Sequence, residues 1–522
     1  MSERFQLNIR DSRQKIKMSW LDKAISFVFP RAGLSRLAAR ARIEMAANYR
    51  GSESSRLRSD WVLGVDSTTP GGWELSRLRE RARDLNRNDP LSSGATDTLG
   101  HNIVGKGLKP QSRLRAEYLP VDEEKARSLQ RQAELIWNTW APLADSGNRL
   151  DFDEIQFVAL RKIIEDGETI ALPVMVKNEP WRTIRRAVEL VESERLARSD
   201  VFGMLDTGIE LGSRGEPKTY HIREADHQNK NQGKSVAIPA RDKAGRPNVL
   251  HVFRTLRPGQ QRGIPLFAPV LTYFKDLADY LEAEVVAARV AACLAVFITK
   301  QDPMNLATAM QTDTETSSGD RIAGIEPGLV GYLNTGESIN VVDPKRPGDS
   351  FQPFLEGLLR IIGASLGLPY ELLLKDFSKT NYSSARAALL EGRRMFTTWR
   401  GWFARRFCQP IWGLVLEEAY LRGLFDAPEF YRYRSEYTRA LWIGGGWGWV
   451  DPTKEVEASS NAVAYGLSTL AEEAAGQGRD WEEILEQRKR EQDKAAELGV
   501  VLHTSSGQAG EERDANAETE QE

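Results

Sequence analysis

Cysteine, histidine and long apolar runs are scarce in this chain of 522 residues. Its two cysteines, Cys293 and Cys408, exclude a disulfide framework and favour a reducing compartment. Five histidines leave little material for a histidine-based metal site. We therefore expect no cofactor and no bound metal.

No segment is both apolar enough and long enough to span a membrane. The most apolar stretch, residues 285–298, is interrupted by Arg289 and falls short of the ~18 uninterrupted apolar residues that a span needs. The basic N-terminus contains one apolar run, residues 24–29, which is too short for a secretory signal. The sequence predicts a protein made and used inside a cell, without a membrane partner.

Overall charge is nearly balanced, with 71 Lys and Arg against 74 Asp and Glu, a net of −3. This balance excludes a protein that wraps nucleic acid by bulk charge, so any DNA contact must come from local patches. Hydrophobic residues make up 41% of the chain, enough to bury a core, and the length suggests about three domains.

Two motifs resemble catalytic signatures, but the residues around them do not fit the structure that each signature requires. Gly233-Lys234-Ser235 could end a phosphate-binding loop, but Gln228 occupies the position that requires the first glycine. The stretch GASLG, residues 363–367, matches G-x-S-x-G, yet Ser365 lies at the end of a predicted helix where a nucleophile elbow needs a strand. Neither H-E-x-x-H nor a pair of C-x-x-C motifs occurs. The sequence predicts no catalytic residues and no enzyme.

The N-terminal half alternates between helical and strand patterns. Asp89 before Pro90 is typical of a helix start, a second helix covers about 122–140, and a third begins at Asp151 or Asp153 and ends near Asp166-Gly167. Between 169 and 257, short alternating apolar runs separated by Gly, Pro, Asn and Asp predict a small sheet. The fold class is therefore α+β and mainly helical.

A long helix is predicted from Pro269 to about Thr299, some 45 Å at ~1.5 Å per residue. Its second half is rich in alanine and apolar nearly all round, so it must be covered by close neighbours. Either another subunit or the chain's own domain could cover it, and we favour another subunit. The candidate interface residues are Ala287, Ala288, Ala291, Ala292 and Ala295.

Three further helical segments follow an irregular, short-stranded insert. They cover residues 353–366, 385–424 with an interruption at Pro410, and 451–498. Residues 505–522 contain six acidic residues and one basic residue and predict a disordered tail.

The stretch 375–406 is the one strongly basic part of the second half. It carries eight Lys or Arg and two acids, Asp376 and Glu391, a net of +6. A loop and helix this basic suit contacts to phosphates that carry no sequence information. Alternatively, its arginines pair with acids of a neighbouring subunit. Residues 1–60 have a net charge of +7, which fits an arm that contacts nucleic acid, an acidic partner or a neighbouring subunit.

Five long segments resemble the portal proteins, or head–tail connectors, of lambda-type tailed bacteriophages. They are RARDLNRNDPLSSGATDTLGHNIVGKGLKPQ (81–111), HVFRTLRPGQQRGIPLFAPVL (251–271), YLEAEVVAARVAAC (280–293), LGLPYELLLKDFSKTNYSSARAALLEGRR (366–394) and WVDPTKEVEASSNAVAYGLST (449–469). The resemblance covers about 61–499. It implies a ring, typically of twelve subunits, at one vertex of the capsid of a phage or prophage. The ring would form the channel for double-stranded DNA in packaging and ejection.

The resemblance also implies a map of the chain. In order it comprises a basic N-terminal arm (1–60), a wing of helices and a small sheet (61–265), a first stem helix (266–299), a clip (300–350), a second stem helix (351–368), a tunnel loop (369–384), a tunnel-side helix with the rest of the wing (385–450), a helical crown (451–500) and a disordered acidic tail (501–522). The candidate channel residues are Lys375, Ser378, Lys379, Thr380, Asn381, Tyr382 and Arg386 in the loop and Arg393, Arg394 and Arg400 on the helix.

The partners implied are further copies of the chain, double-stranded DNA, the terminase large subunit, the head-completion or tail connector protein, and the major capsid and scaffolding proteins. The implied location is the portal vertex of the virion, after assembly in the host bacterial cytoplasm and nucleation of the procapsid. Two other functions stay open from the residues alone: a DNA-acting enzyme and a nonspecific DNA-binding adaptor.

Overall fold

The computed structural model of the protein describes residues 72–177, 179–196, 207–224, 235–292 and 351–500, and the backbone of four short strands between 296 and 341. Of residues 290–292 only the backbone is described. The predictions for the N-terminal arm, for most of the clip and for the acidic tail after residue 500 lie outside these residues.

Helices dominate and the strands form small sheets, as predicted. The first helices and strand are α1 (Gly72–Asn88), α2 (Pro90–Ile103), β1 (Lys109–Ser112), α3 (Glu123–Trp140) and α4 (Phe152–Asp166). Six strands follow: β2 (Glu168–Met175), β3 (Arg186–Val191), β4 (Ile209–Leu211), β5 (Pro217–Arg223), β6 (Ser235–Pro239) and β7 (Leu250–Phe253). The central part contains α5 (Leu271–Ala292), β8 (Val296–Lys300), β9 (Thr314–Glu315), β10 (Arg321–Ile322), β11 (Glu337–Val341), α6 (Phe351–Leu366) and α7 (Tyr370–Leu374). The last elements are α8 (Tyr382–Phe403), α9 (Gln409–Leu421), α10 (Arg434–Tyr437), β12 (Ala440–Ile443), α11 (Pro452–Ala464), α12 (Leu470–Gly476) and α13 (Trp481–Leu498).

Capping residues set the ends of the first helices where the sequence predicts them. Asp89 accepts a hydrogen bond from the Ser92 amide at 2.6 Å, directly before α2. Asp151 accepts from the Glu154 amide at 2.8 Å, and the Glu154 carboxylate accepts from the Asp151 amide at 3.0 Å. This reciprocal pair provides hydrogen-bond acceptors for two backbone amides that have no acceptor within the first turn of α4. Gly167 ends α4 with a φ of +87°, a conformation that costs glycine little.

The cap of α4 allows a direct test. We expect Asp151→Ala to lower the free energy of unfolding by about 1 kcal/mol, because the Glu154 amide loses its acceptor. Asp151→Asn retains an acceptor oxygen and should lose much less. Urea denaturation followed by tryptophan fluorescence measures both variants, and equal losses would show that capping is not the cause.

An aromatic cluster holds α3, α4 and α9 together. The ring of Trp137 lies 4.7 Å from Trp140, 4.8 Å from Phe152 and 5.5 Å from Trp412, centroid to centroid. All four side chains are buried. Two of these contacts are edge-to-face, a geometry that adds to the stabilisation from burial.

Strand β2 is the centre of a three-stranded antiparallel sheet, with β3 on one side and β7 on the other. A second sheet has the order β4-β5-β6. Strand β1 pairs with β12, so that Lys109 lies opposite Ile443 and Ser112 opposite Ala440. This pairing joins the start of the described chain to a segment more than 300 residues later.

A buried ion cluster joins α1, β2 and the loop before α5. Glu168 has no exposed surface, and its Oε1 lies 2.8 Å from Arg79 Nη2 and 2.6 Å from Arg262 Nη2. Its Oε2 accepts from the Gly263 amide at 2.7 Å and lies 3.1 Å from His251 Nε2. Burial alone would raise the pKa of Glu168, but the charges of Arg262, Arg79 and His251 outweigh it and hold the pKa well below its ordinary value.

Helix α5 is shorter than predicted. It follows a single turn of 3₁₀ helix, Ala268–Val270, and its described residues end at Ala292, whereas Val296–Lys300 form a strand that pairs with β11. The predicted end near Thr299 is therefore wrong, because a run of β-branched and aromatic residues favours a strand once a partner strand is present. No helix in the described part of the chain is long and apolar enough to cross a bilayer.

Helices α5 and α6 pack against each other. Tyr280 lies 5.7 Å from Phe351 and 5.3 Å from Phe354, ring centroid to ring centroid. Helix α6 ends at Gly367, whose φ is +72°. The G-x-S-x-G match is therefore a helix C-terminus, as predicted.

The predicted interruption of the helix at Pro410 is a π turn. Residues Ala404–Cys408 form π-type hydrogen bonds between α8 and α9. Proline has no amide hydrogen, and its ring crowds the carbonyl four residues earlier, that of Arg406. The wider π turn relieves this crowding just before Pro410.

The C-terminal helical region, predicted as one stretch, consists of the three helices α11–α13. None of their residues is buried. The loop before α11 meets the turn between α12 and α13 at two glycines: a Cβ on Gly446 would lie 2.4 Å from the Gln477 carbonyl carbon, and one on Gly478 would lie 2.4 Å from the Gly446 nitrogen. Only glycine allows this close backbone contact.

Candidate nucleic-acid interface

The loop between α7 and α8, residues 375–381, folds on its own polar groups. The Asp376 carboxylate accepts from the Ser378 amide at 2.9 Å, the Thr380 hydroxyl donates to the Phe377 carbonyl at 2.9 Å, and Asn381 Oδ1 caps α8 by accepting from the Ser384 amide at 2.9 Å. Lys375 ends α7 in the left-handed region, with a φ of +57°. The side chains of Thr380 and Asn381, both of them candidate channel residues, thus shape the loop itself.

Lys379 is paired within its own chain. Its Nζ lies 2.5 Å from Glu356 Oε1 on α6. The hydrogen bond with Glu356 raises the pKa of Lys379, and the same bond lowers the pKa of Glu356. Both groups are at the surface, so this pair adds little stability. It ties the loop to the second predicted stem helix.

Lys375 and Arg386 form no ion pair with any residue of the described chain. Lys375 is exposed and Arg386 is half-buried near the start of α8. The hydrogen bond with Asp451 raises the pKa of Lys454, and the charge of Arg386 opposes this increase. Tyr382 joins this group through its hydroxyl, which donates to Asp451 Oδ2 at 3.4 Å. A contact between Lys375 or Arg386 and DNA stays a prediction.

Arg393 and Arg394 lie further along α8, where each has one polar partner. Arg393 donates to the Gly448 carbonyl at 2.7 Å, and no carboxylate of the described residues pairs with it. Arg394 lies 3.0 Å from Glu391 in an exposed pair. Contact of either arginine with DNA stays a prediction.

Arg400 is the predicted channel residue that the structure places elsewhere. Its Nε donates to the Ile103 carbonyl and its Nη2 to the Asn102 carbonyl, each at 3.0 Å, and its guanidinium stacks over Trp447 at 4.6 Å. Burial lowers its pKa. These carbonyls end α2 and lack helical partners, so Arg400 caps that helix. The prediction that it faces DNA is wrong.

Two other arginines belong to the basic stretch but not to the predicted site. Arg405 and Arg406 lie exposed on the π turn and form no ion pair with any described residue. Their charge was visible in the sequence, but the π turn that exposes both neighbours was not.

Two of the predicted interface alanines, Ala287 and Ala288, lie on a helix that the described residues cover incompletely. In α5, Leu281, Val285 and Ala288 follow the spacing i, i+4, i+7 and form a stripe on one face. The three are exposed, Val285 by 50%. Ala287 is half-buried. The side chains of Ala291, Ala292 and Ala295 lie outside the described residues, so their role remains a prediction.

A sequence profile described as "Phage portal protein, lambda family" matches residues 57–400, which is more than half of the chain. The chain belongs to the lambda family of phage portal proteins. The match includes the loop at 375–381 and ends within α8. This membership confirms the resemblance deduced from the sequence, and it excludes an enzyme, because portal proteins are structural components of the virion.

Two curated relatives extend the match. The portal protein of Escherichia phage N15 is 27% identical over 446 residues, covering 80% of this chain and 84% of the relative. Portal protein B of Escherichia phage lambda is 27% identical over 448 residues, covering 80% of this chain and 83% of the relative. Both alignments span nearly the whole length of the portal proteins they match.

Solved structures of gene transfer agent particles are also similar. A chain from the neck of the native particle, computed with C12 symmetry, has a TM-score of 0.41 and 13% identity, covering 78% of this chain and 94% of its own. A chain from the native virion has a TM-score of 0.42 and 12% identity, covering 81% and 98%.

The described residues contain no group of three or more His, Cys, Asp or Glu side chains arranged to hold a metal ion. The buried Cys408 is a free thiol whose pKa is raised well above its ordinary value by burial, so it is not poised as a nucleophile.

Proposed function

We propose that this portal protein forms a ring, typically of twelve copies, through which double-stranded DNA enters the capsid during packaging and leaves during ejection. Family membership carries this proposal. The exposed stripe on α5 supports it, because a head-to-tail ring needs an uncovered face on each subunit. The helices α5 and α6 would form the stem, with the clip between them, and α11–α13 the crown.

DNA in such a channel must slide, so contacts should be numerous, weak and independent of sequence. Affinity for DNA rises steeply with the number of phosphates neutralised. In each subunit Lys375, Arg386, Arg405 and Arg406 are cations without an ion pair among the described residues, while Lys379 is paired. One or two accessible charges per loop, repeated around a ring, would retain DNA without stopping it.

The further partners are those of a portal vertex: the terminase large subunit during packaging, the head-completion or tail connector protein afterwards, and the major capsid and scaffolding proteins during procapsid nucleation. Assembly would take place in the host bacterial cytoplasm. Electron microscopy of the purified protein, viewed along its axis, tests the ring directly. We expect an annulus with a central hole, and monomers at every salt and protein concentration would contradict the proposal.

The role of the loop cations can be tested separately. We expect Lys375→Ala combined with Arg386→Ala to weaken binding of nonspecific duplex DNA by about tenfold at low salt and to reduce the salt dependence of binding, because two phosphate contacts per subunit are lost. Rings should still form. The matched control is Arg432→Ala, which removes an exposed arginine paired with Glu429 outside this surface. Loss of rings in the double variant would place the two cations at a subunit interface instead.

A further inference from the structure

Helix α6 presents an exposed apolar face in addition to the stripe on α5. Phe354, Gly357, Ile361 and Ala364 follow the spacing i, i+3, i+7, i+10 and lie along one side of the helix. Phe354 is 52% exposed and Ile361 49%, and the two small residues are exposed as well. We call these four residues the α6 face. None of them is charged, and covering them would remove apolar surface from water, which is favourable.

Gly357 has no role that the described chain explains. In the middle of a helix, glycine lowers stability relative to alanine. A Cβ added to Gly357 would meet no atom within 4 Å, so no close contact in the described structure requires a residue without a side chain. The missing side chain leaves a depression between Phe354 and Ile361, which lie about one turn away on either side. Such a depression can receive a side chain from another helix.

The α5 stripe fits the α6 face in spacing and in size. The stripe has intervals of four and then three residues, and the α6 face, read backwards from Ile361, has the same intervals. Two antiparallel helices can therefore bring these residues together in register. At two levels a large side chain then meets a small one, because Val285 lies at Gly357 and Phe354 lies at Ala288.

Both helices can make this contact while they keep their packing within the chain. Tyr280 holds α5 against α6 through Phe351 and Phe354. Successive residues lie about 100° apart around a helix, so Tyr280 projects from a different side of α5 than Leu281 does. The stripe and the α6 face are thus two different surfaces of one chain, and a head-to-tail ring needs such a pair.

We infer that the α6 face of one copy packs antiparallel against the α5 stripe of the next copy, so that a large side chain of the stripe fills the space at Gly357. The inference rests on the proposed ring and identifies the second surface that each copy contributes to it. Because the two surfaces differ, the contact repeats from copy to copy until the ring closes. A contact between two α5 stripes would instead stop at a dimer.

Gly357→Leu in the full-length protein tests the space. In the single chain the new Cβ contacts nothing, and leucine favours a helix more than glycine does, so the chain should stay folded. In the ring the added side chain would collide with the α5 stripe, so electron microscopy should show that rings are lost. Adding Val285→Ala makes room for it and should restore them. The matched control is Gln352→Leu, at an exposed position of α6 outside the face, which should form rings normally.

Disulfide cross-linking tests which surfaces meet. The parent is the full-length Cys293→Ser variant, in which the one remaining cysteine is the buried Cys408. Val285→Cys combined with Gly357→Cys should give a ladder of covalent oligomers on a non-reducing gel, because each copy bonds to two neighbours. Either new cysteine alone should give no ladder. The matched control combines Gly357→Cys with Ala283→Cys, at an exposed position on the opposite face of α5, and should give none.

Electron microscopy of the same samples separates this inference from the proposed ring. A ladder from Leu281→Cys with Gly357→Cys would support the same pairing of surfaces, shifted by one turn. Rings without a ladder from either pair would overturn the pairing but not the ring, whereas the absence of rings in the natural protein would overturn both. Dimers from Val285→Cys alone, a ladder from the control pair, or normal rings from Gly357→Leu would each contradict the pairing.

Discussion

Replacement of Glu168 by alanine is expected to lower the free energy of unfolding by about 3–5 kcal/mol, since it leaves Arg79 and Arg262 buried without their shared carboxylate. The side chains of these arginines are each only 5% exposed, so water cannot replace the lost partner. The Gly263 amide would also lose its acceptor. Urea denaturation of the full-length protein measures the change.

A surface pair on the same sheet provides the control for Glu168. Glu189 lies 3.8 Å from Arg195 and is 41% exposed, so Glu189→Ala should cost at most about 1 kcal/mol. The contribution of Glu168 should also depend on pH. Its pKa is lowered in the folded protein, so this stabilisation is present above its ordinary value of 4.5 and is lost as the pH falls towards the folded pKa. Equal losses in the two variants, or a loss that is independent of acid, would contradict the buried cluster.

Ala288→Glu should prevent ring assembly while leaving the single chain folded. Ala288 belongs to the exposed stripe with Leu281 and Val285, so a glutamate there is solvated in the monomer and does not disturb its core. In a ring the same glutamate would be buried against a neighbour without a partner, which costs several kcal/mol at each interface. Light scattering and electron microscopy distinguish rings from monomers.

The matched control for the stripe is Ala283→Glu on the opposite face of α5. Ala283 is exposed on the side that already carries Asp276 and Asp279. Both variants replace an alanine of α5 with glutamate, so they differ only in the face of the helix that receives the charge. If both variants form normal rings, the stripe is not part of the interface. If neither variant forms rings, the subunit contact extends around the helix.

Sequence reasoning succeeds where a structure is set by neighbouring residues. Asp89, Asp151 and Gly367 act within one turn of their own helices, so their roles could be predicted without any knowledge of the fold. The strand at 296–300 could not be predicted in this way, because its partner lies at 337–341 and the helical pattern before it continues without a stop signal.

In the candidate site, too, some properties follow from the local sequence and others depend on distant contacts. The net charge of 375–406 predicts a basic surface. Individual roles depend on distant contacts: Arg400 caps carbonyls at 102 and 103, and Lys379 pairs with Glu356 on another helix. Composition predicts the sign of the charge on a surface, but only the fold determines which of its charged side chains already have a partner within the chain.

The pairing of β1 with β12 has a consequence for synthesis on the ribosome. Residues 109–112 remain without the strand that pairs with them in the described structure until 440–443 have been translated. At ~5–20 residues per second this delay is roughly 15–65 s. The exposed apolar stripe of α5 is synthesised during that interval, so nascent chains on one polysome would carry it uncovered before β1 and β12 can pair, and a chaperone that shields this segment would favour orderly assembly.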